Sequence, residues 1–379
     1  MSVSVQRLKP GQTLPLPREN HQHALQRIAR VFGRRLTLLI MAVVSNLRFR
    51  SGLEKVWERR YAELRRDFTA QRTHGAPSRM WSFISLVYRL LLRGQGFHRF
   101  KSTMGRFLAA WEPVHTRMTE ALYHLYWSSL EKRDVWGVLG TLEEPELGEG
   151  DGLLYRGRRV SIDLLQSIDE FYSLREAFGF DRDDSVVFCE LGAGYGRLAH
   201  VVLTVMPQAR YVIFDLPESL LLAEYYLTTL HPAMTTALCP ESARVVRDPD
   251  AFFRHRLVFG LPGLLREVPR GAIDIFVNIY SFMEMRAAQV EEYFRIIEDR
   301  RVAAVYLKQN KQAANPFDRS VTTEDTYPIR AAWSKCYHRT AMLYDHVFEA
   351  AYWLRSPSET TVASALVEGL RKPVGGAMS

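Results

Sequence analysis

Residues 186–216 read VVFCELGAGYGRLAHVVLTVMPQARYVIFDL, and this stretch decides the fold. The apolar residues 186–188 lead to Glu190 and then to glycines at alternate positions. This order predicts a buried parallel strand that turns tightly into a helix, with glycines that let a ligand approach the backbone. Residues 197–206 have helical apolar spacing, and the second apolar run, 211–214, ends at Asp215. We therefore predict a strand-helix-strand unit.

The spacing within this unit indicates a nucleotide cofactor. Asp215 lies 23 positions after Gly192. In units of this kind, an acidic residue about 20 positions after the glycines accepts hydrogen bonds from a ribose diol. A dinucleotide fingerprint, Gly-x-Gly-x-x-Gly, would place its third glycine at position 197, where this chain has arginine. The sequence therefore disfavours a nicotinamide dehydrogenase.

The pattern acid-x-Gly-x-Gly-x-Gly resembles motif I of class I S-adenosylmethionine (SAM)-dependent methyltransferases. The resemblance implies that Glu190 faces the methionine end of SAM, that the glycine loop passes beneath the cofactor and that Asp215 holds its ribose. We assign cofactor contacts to Glu190, Gly192, Ala193, Gly194, Gly196, Asp215, Leu216 and Asn278. We assign substrate contacts to Tyr195, Arg197 and Asn310.

Composition favours a globular protein. The chain has 379 residues, of which 47% are apolar, so it can form a sizeable core. Its three cysteines are too few and too scattered for a disulfide framework or a zinc site. The longest apolar run, 36–44, is much shorter than the roughly 20 residues of a spanning helix, and no signal-peptide pattern is visible. We expect a cytoplasmic location.

The positive charge is concentrated near the N-terminus. Residues 1–110 carry 21 Lys or Arg and 5 Asp or Glu, whereas the whole chain has a net charge of only +8. Helical apolar spacing recurs in this region, for example at residues 25–31 and 81–91. We predict a basic, mainly helical region over residues 1–135, a methyltransferase domain over 136–360 and a C-terminal tail over 361–379.

Three explanations of the basic region stay open. It could be a solvated helical face that covers the catalytic domain, it could contact an anionic membrane surface through residues 1–110, or it could bind an acidic substrate or nucleic acid. We expect no nucleic-acid partner, and homo-oligomer formation stays open.

Further elements alternate along the chain. Ser161 is predicted to cap a helix that leads to the first strand, and Pro217 suits the first turn of a helix that runs to about residue 230. Short strands are expected over 243–246 and 302–307, a longer strand over 273–280, and a helix over 287–299. This alternation predicts an α/β fold of the Rossmann-like class I methyltransferase type, a mostly parallel, doubly wound sheet that binds ligands at the carboxyl ends of its strands.

The strand over 273–280 is expected beside the first strand, so polar residues at its end should border the substrate. Methyl transfer to a hydroxyl is an in-line displacement, so the protein must align the acceptor and help to remove a proton. Glu284 is the first candidate base, although a carboxylate stabilised by a helix N-terminus is equally consistent. His338 is the second, although the sequence favours a surface or satisfied core histidine at this position. Tyr280 and Ser281 complete the catalytic candidates.

A series of short motifs resembles the sugar O-methyltransferase family over residues 136–355. The motifs are Leu142-Glu-Glu-Pro-Glu-Leu-Gly148, Gly157-Arg-Arg-Val-Ser161, Glu190-Leu-Gly-Ala-Gly-Tyr-Gly-Arg-Leu198, Asp215-Leu-Pro-Glu-Ser-Leu220, Asn278 with Ser281-Phe-Met-Glu-Met285, and Tyr306-Leu-Lys-Gln-Asn310. The resemblance implies SAM-dependent methylation of a sugar hydroxyl, in bacterial surface polysaccharides or glycosylated natural products. It also implies pocket positions for Ser281, Glu284 and Asn310.

Two other functions remain as alternatives. The basic N-terminal region would suit a nucleic-acid methyltransferase, but Asn278-Ile-Tyr-Ser stands where an amino-methylating enzyme would carry an Asn-Pro-Pro type loop. A catalytically inactive methyltransferase-fold binding module is disfavoured because the glycines and Asp215 are intact. We predict no metal, because no close carboxylate cluster marks a site for a hard cation. Activity that a chelator abolishes and magnesium restores would contradict that prediction.

Overall fold

The structure, a computed structural model, describes residues 52–70, 81–82, 85–86, 88, 99–101, 119–149, 152–315 and 320–354. The helical spacing predicted at residues 25–31, the apolar run 36–44 and the tail 361–379 lie outside the described residues. None of the helices in the described ranges combines the length and the hydropathy that crossing a bilayer requires.

The described residues form twelve strands. In chain order they are β1 (Leu153–Tyr155), β2 (Arg158–Val160), β3 (Val187–Leu191), β4 (Arg210–Phe214), β5 (Thr236–Ala237), β6 (Leu257–Gly260), β7 (Ile275–Ile279), β8 (Ala304–Asn310), β9 (Gln312–Asn315), β10 (Ser320–Thr323), β11 (Ser334–Ala341) and β12 (Tyr344–Trp353).

The helices of the same ranges lie before and between these strands. They are α1 (Gly52–Ala70), α2 (Thr119–Glu131), α3 (Val138–Thr141), α4 (Ile162–Phe178), α5 (Arg197–Val205), α6 (Pro217–Leu230), α7 (Ser242–Val245), α8 (Pro249–Arg254) and α9 (Ala287–Asp299). Short 3-10 turns span Pro262–Glu267, Phe282–Glu284 and Glu324–Thr326.

Eight strands form one central sheet in the order β11-β12-β8-β7-β3-β4-β6-β5. The six strands from β8 to β5 are parallel, and the β11-β12 hairpin closes one side with β12 antiparallel to β8. The chain runs from β3 outward to β4 on one side and later returns to β7 on the other. The strand order therefore reverses between β3 and β7, and ligands bind at such a switch point in open α/β sheets. The predicted Rossmann-like fold class is confirmed.

Both faces of the sheet are covered because its parallel strands are apolar on both sides. On one face, side chains such as Phe188, Tyr211 and Tyr306 pack against α4, α5 and α6. On the opposite face, alternate residues such as Cys189 and Phe276 pack against α9 and the shorter helices. The site must therefore lie at the strand ends, because the faces are filled.

Several predicted elements are confirmed and one is wrong. The helix after Pro217 ends at Leu230, and the helix over 287–299 has the predicted bounds. Ser161 caps α4 by accepting a hydrogen bond from the backbone N–H of Leu164. The strand predicted over 243–246 is instead α7, a single turn whose Val245 and the following Val246 are buried. Two adjacent valines fit a buried helical turn as well as a strand. The strand that follows this turn in the chain is β6.

The N-terminal residues that the structure describes are helical in α1 and α2. Residues on both sides of position 135 contribute to one hydrophobic cluster, among them Tyr126 and Phe171. The division of the chain at residues 135 and 360 stays a prediction.

Candidate cofactor and active site

The glycine loop of residues 192–196 joins β3 to α5, and its three glycines adopt a left-handed backbone conformation. The φ angles of Gly192, Gly194 and Gly196 are 81°, 61° and 85°. A Cβ on Gly192 would collide with the Ser281 side chain, and a Cβ on Gly196 would lie 2.7 Å from the Leu227 Cδ1. A Cβ on Gly194 would meet nothing within 4 Å. Two glycines therefore permit close packing, whereas the backbone at Gly194 is open to a ligand.

Asp215 connects this loop to the end of β4. The backbone N–H of Gly194 donates to its Oδ2 at 2.9 Å, and the N–H of Leu216 donates to its Oδ1 at 2.7 Å. Burial raises the pKa of Asp215 to about 7, although these hydrogen bonds oppose the rise. The Ser219 hydroxyl also donates to this carboxylate, which still keeps acceptor capacity for a further donor. Asp215 and Leu216 therefore lie beside the glycine loop at the end of β4, and their predicted contacts with the cofactor stay untested.

Glu190 lies on β3 with its side chain on the α4 face of the sheet. The hydroxyl of Tyr211 donates to the Glu190 Oε2 at 2.7 Å. Burial raises the pKa of Glu190 to about 7. The hydrogen bond from Tyr211 opposes this rise only in part. Ala193 is buried within the glycine loop itself.

Asn278, near the end of β7, binds the protein's own backbone. Its Nδ2 donates to the Leu191 carbonyl at 2.9 Å, and its Oδ1 accepts from the Phe282 N–H at 2.9 Å. The side chain is fully buried. Asn278 thereby fixes the end of β3 against the turn after β7, and its predicted direct contact with the cofactor stays untested.

Gln309 is a site residue that the sequence reasoning missed. Its Nε2 donates to the Asn278 Oδ1 at 2.7 Å, and its Oε1 accepts from the Met283 N–H at 3.2 Å. Lys308 and Gln309 are almost completely buried in β8. Two consecutive polar residues at the end of an apolar strand were the signal that could have revealed this pair.

The turn after β7 holds three of the catalytic candidates. Tyr280 adopts a left-handed φ of 57°, which is uncommon for a residue with a side chain and frequent at functional sites. Its ring centroid is 6.0 Å from the Lys308 Nζ. Ser281 is buried against Gly192. Glu284 ends the following 3-10 turn.

Glu284 is half-buried and accepts a hydrogen bond from the Trp81 indole. Burial raises its pKa to about 8, the charge of Asp215 adds to the rise and the Trp81 hydrogen bond opposes it. A carboxyl group with this pKa can exchange a proton near neutral pH, as a general base must. The raised pKa of Glu284 is therefore compatible with its predicted role as a general base.

Aromatic residues of the N-terminal region border the same edge. The rings of Trp81 and Tyr88 meet edge to face with centroids 6.4 Å apart. Tyr88 is 8% exposed, and burial raises its pKa, with smaller contributions from the charges of Glu284 and Asp215. The sequence reasoning assigned neither aromatic residue to the site.

The predicted substrate residues have different surroundings. Arg197 donates two hydrogen bonds to Glu170, at 2.7 and 2.8 Å, so its guanidinium is engaged within the protein. The Tyr195 hydroxyl donates to the Asp163 Oδ2 at 2.8 Å. Asn310 is half-buried at the carboxyl end of β8, on the same edge of the sheet as the glycine loop.

The structure does not bring His338 to this edge. His338 lies on β11 at the side of the sheet, three strands from β7, or roughly 14 Å at normal strand spacing. Its Nε2 is 2.7 Å from the Glu324 Oε1, and its ring stacks on Phe348. This surface setting matches the alternative that the sequence left open for His338.

A buried ionic network lies beneath α4, on the same face of the sheet as Glu190. Glu170 is 2.9 Å from the Lys308 Nζ, and Glu349 binds Arg339 at 2.9 Å. Asp169 binds Arg133 and Arg339. These carboxylates are fully buried, and cations from several elements surround them.

No group of three or more His, Cys, Asp or Glu side chains suited to a metal occurs among the residues that the structure describes. The predicted independence of metal remains to be measured.

Known proteins resemble this chain at the level of fold. No protein-family model and no curated protein sequence matches it. Matching solved structures include a mitomycin 7-O-methyltransferase, with 14% identity, a TM-score of 0.37 and coverage of 79% of this chain and 95% of that one. Another is a SAM-dependent methyltransferase from Aquifex aeolicus, with 14% identity, a TM-score of 0.33 and coverage of 51% and 94%.

A third matching structure is a magnesium protoporphyrin IX methyltransferase from Synechocystis with bound SAM. It has 12% identity, a TM-score of 0.36 and coverage of 55% of this chain and 87% of that one. These identities and scores are too low to carry an argument about function. The functional argument therefore rests on the site.

Proposed function

We propose that this protein is a SAM-dependent O-methyltransferase whose acceptor is a sugar hydroxyl. The observation that carries the proposal is the bond from the Gly194 N–H to Asp215, which joins a ligand-accessible glycine loop to an acidic residue at the end of the next strand. This arrangement lies at the switch point between β3 and β7.

The residues present fit SAM better than a dinucleotide. Asp215 and Leu216 would hold the ribose, Gly194 would face the cofactor and Glu190 would lie toward its methionine end. At position 197, where a dinucleotide fingerprint needs glycine for helix packing, the Arg197 side chain is bound to Glu170. The site therefore favours the adenosyl cofactor over NAD.

The chemistry requires alignment and proton removal. When bound, SAM supplies a methyl group on a positively charged sulfur, which makes the methyl carbon electrophilic. The turn over 280–284 would place the acceptor hydroxyl in line with this carbon. Glu284 would take the proton that the hydroxyl loses as the hydroxyl oxygen bonds the methyl carbon and the carbon–sulfur bond breaks, which would leave neutral S-adenosylhomocysteine. Tyr280 would contact the acceptor.

A sugar acceptor is supported by the motif series and by the residues beside Glu284. Trp81 and Tyr88 offer aromatic ring faces and the Tyr88 hydroxyl beside the Glu284 carboxyl, which already binds the Trp81 N–H, and this suits a ligand with both apolar faces and hydroxyls. Hydroxyl methylation also agrees with a carboxylate base at the end of β7.

The test begins with the cofactor. Thermal unfolding of the purified protein with SAM, S-adenosylhomocysteine (SAH), NAD or no ligand should show an upward shift with the two adenosyl compounds alone, because a ligand of the native state raises its apparent stability. Calorimetry with SAH gives the affinity. Stabilisation by NAD alone, or by none of these ligands, would refute the cofactor assignment. Sugar acceptors can then be screened by product mass.

Substituting Asp215 separates ribose binding from folding. Asp215→Ala should weaken SAH binding by about 100-fold, because it removes charge-assisted hydrogen bonds worth about 1.5–3 kcal/mol each. The circular dichroism spectrum should match that of the wild type. Unchanged SAH affinity in the folded variant would contradict the ribose assignment.

Substituting Glu284 separates binding from chemistry. Glu284→Gln should retain SAH affinity and lower turnover by about 10²- to 10⁴-fold, the usual contribution of a general base. Wild-type turnover in this variant would exclude Glu284 as the base without affecting the cofactor assignment.

A further inference from the structure

Residues 99–101, from the basic N-terminal region, contact the glycine loop directly. Phe100 is completely buried. Its ring meets the ring of Tyr195 edge to face at 5.3 Å between centroids, and that of Tyr226 at 5.9 Å. Tyr195 lies between Gly194 and Gly196, so Phe100 packs against the largest side chain of the loop.

Lys101 holds the same tyrosines from a second direction. Its Nζ lies 4.6 Å from the ring centroid of Tyr226 and 5.4 Å from that of Tyr195, within the range of cation-π attraction. The ammonium group is paired with the buried carboxylate of Glu144. The other Glu144 oxygen accepts from the Ser161 hydroxyl at 2.6 Å, which ties the pair to the start of α4.

The backbone secures the segment as well. The Lys101 N–H donates to the Gly148 carbonyl at 3.0 Å. A Cβ on Gly148 would lie 2.7 Å from a Phe100 ring carbon, so this approach requires glycine. Residues 99–101 therefore lie between the loop that contains Gly148 and the glycine loop.

Tyr195 is the only residue between Gly194 and Gly196, and both glycines leave the backbone free to adopt many conformations. The side chain of Tyr195 is held by Asp163 at its hydroxyl and by Phe100, Lys101 and Tyr226 at its ring. The next N–H toward the N-terminus, that of Gly194, bonds Asp215. Restraining Tyr195 therefore restrains the loop conformation that presents Gly194.

We propose that Phe100 and Lys101 are positioning residues that hold the glycine loop in its ligand-binding conformation, so that cofactor affinity depends on the N-terminal region. The identity of the ligand rests on the proposed function; the restraint of the loop does not. A loop that visits other conformations binds with an affinity reduced by the fraction of time it is competent. Phe100 and Lys101 together form a clamp on Tyr195, and this clamp raises the fraction of time that the loop is competent.

The experiment compares two ion pairs that join the N-terminal region to later parts of the chain, namely Lys101 with Glu144, which is buried, and Arg60 with Glu224, which is partly buried. Lys101→Met with Glu144→Gln removes the pair next to Tyr195 without leaving a buried carboxylate uncompensated. Arg60→Met with Glu224→Gln is the matched control, because Arg60 binds Glu224 on α6 through two hydrogen bonds of 3.0 and 2.8 Å. Phe100→Ala removes the ring contact, and Lys101→Arg preserves the charge.

Two readouts are used on each full-length protein. Hydrogen exchange of the amides in residues 192–197 reports on the loop, and calorimetry with SAH reports on binding. We expect about tenfold faster loop exchange and about tenfold weaker SAH binding in the Lys101/Glu144 and Phe100 variants, within the usual range of coupling between sites. The Arg60/Glu224 control should match the wild type in both, and Lys101→Arg should recover part of the loss.

The outcomes separate the two proposals. Loop exchange in the Lys101/Glu144 variant within twofold of the control would overturn the clamp. Normal SAH binding in the same experiment would leave the proposed function standing. Faster loop exchange in a chain whose wild type binds no SAH would support the clamp and overturn the proposed function. Equal weakening of SAH binding in the control would assign the effect to general loss of stability and overturn the clamp. If Phe100→Ala does not fold, the Lys101/Glu144 variant still decides.

Discussion

Two sets of buried carboxylates in this protein have different partners. Glu190, Asp215 and Glu284 border the carboxyl edge of the sheet near the glycine loop, whereas Glu170 and Glu349 lie beneath α4. The hydrogen bonds to the first set come from neutral groups, namely the hydroxyls of a tyrosine and a serine, backbone N–H groups and an indole. The second set is bound by arginine and lysine.

The pKa values follow from these partners. Burial raises the pKa of the first set to between about 7 and about 8. Burial also acts to raise the pKa of Glu170 and Glu349. The neighbouring cations Arg197, Lys308 and Arg339 lower it by more, so both pKa values lie below the ordinary value. Asp169 is the exception in the network: burial and the charge of Glu349 raise its pKa despite its arginine partners.

The difference separates carboxylates that hold the fold together from carboxylates that can change protonation. Glu170 and Glu349, which have cationic partners, stay ionised and fix α4 onto β8 and the β11-β12 hairpin. Carboxylates held by neutral donors change protonation near neutral pH and can respond to a ligand, which is typical of functional sites. The net shift of the carboxylate pKa therefore has opposite directions in the first set and in Glu170 and Glu349.

The largest expected effect breaks the ionic network. Lys308→Met should lower the free energy of unfolding by about 3–5 kcal/mol, because it leaves buried carboxylates with one cation fewer. Chemical denaturation at pH 7 measures the loss. Lys311→Met is the control, because the Lys311 Nζ bonds the Thr340 hydroxyl in an exposed pair. This variant should stay within about 0.5 kcal/mol of the wild type. Equal stability of the two variants would show that the network contributes little.

An intermediate effect tests the set held by neutral donors. The folded state, with a Glu284 pKa of about 8, binds more protons than the unfolded chain, with a pKa of 4.5, so stability falls as pH rises between these values. Glu284→Gln removes this dependence. Its advantage over the wild type should be absent near pH 4 and reach about 2 kcal/mol at pH 9, allowing for partial solvent screening. Parallel stability curves across this range would contradict the raised pKa.

The smallest effect concerns a residue outside both sets. His338→Ala should lower stability by at most about 0.5 kcal/mol, because its pair with Glu324 is exposed. SAH affinity should be unchanged, since His338 lies on the edge strand. Denaturation and calorimetry test both points, and weaker SAH binding would place His338 in the site after all. Glu324→Ala is the matched control for loss of the pair.

Local signals allowed much of the fold to be predicted. Pro217 and the apolar spacing after it gave the bounds of α6, and the glycine and acid spacing gave the β3-α5-β4 unit with Asp215 at its end. The strand predicted over 243–246 failed because two adjacent apolar residues do not distinguish a strand from a buried helical turn. Gln309 was missed because its partners, Asn278 and Met283, are about 30 positions away in sequence.

The sequence by itself determined the β3-α5-β4 unit, the helices α6 and α9, the glycine loop and the acidic residue after β4, because these depend on spacing within a few turns of chain. Only the tertiary structure decided which polar residues meet. In the folded chain Arg197 binds Glu170, and His338 lies on the edge strand β11 of the sheet. Phe100 and Lys101 pack on Tyr195. Such contacts join residues far apart in sequence, and the burial and charge that surround a side chain exist only once the chain has folded.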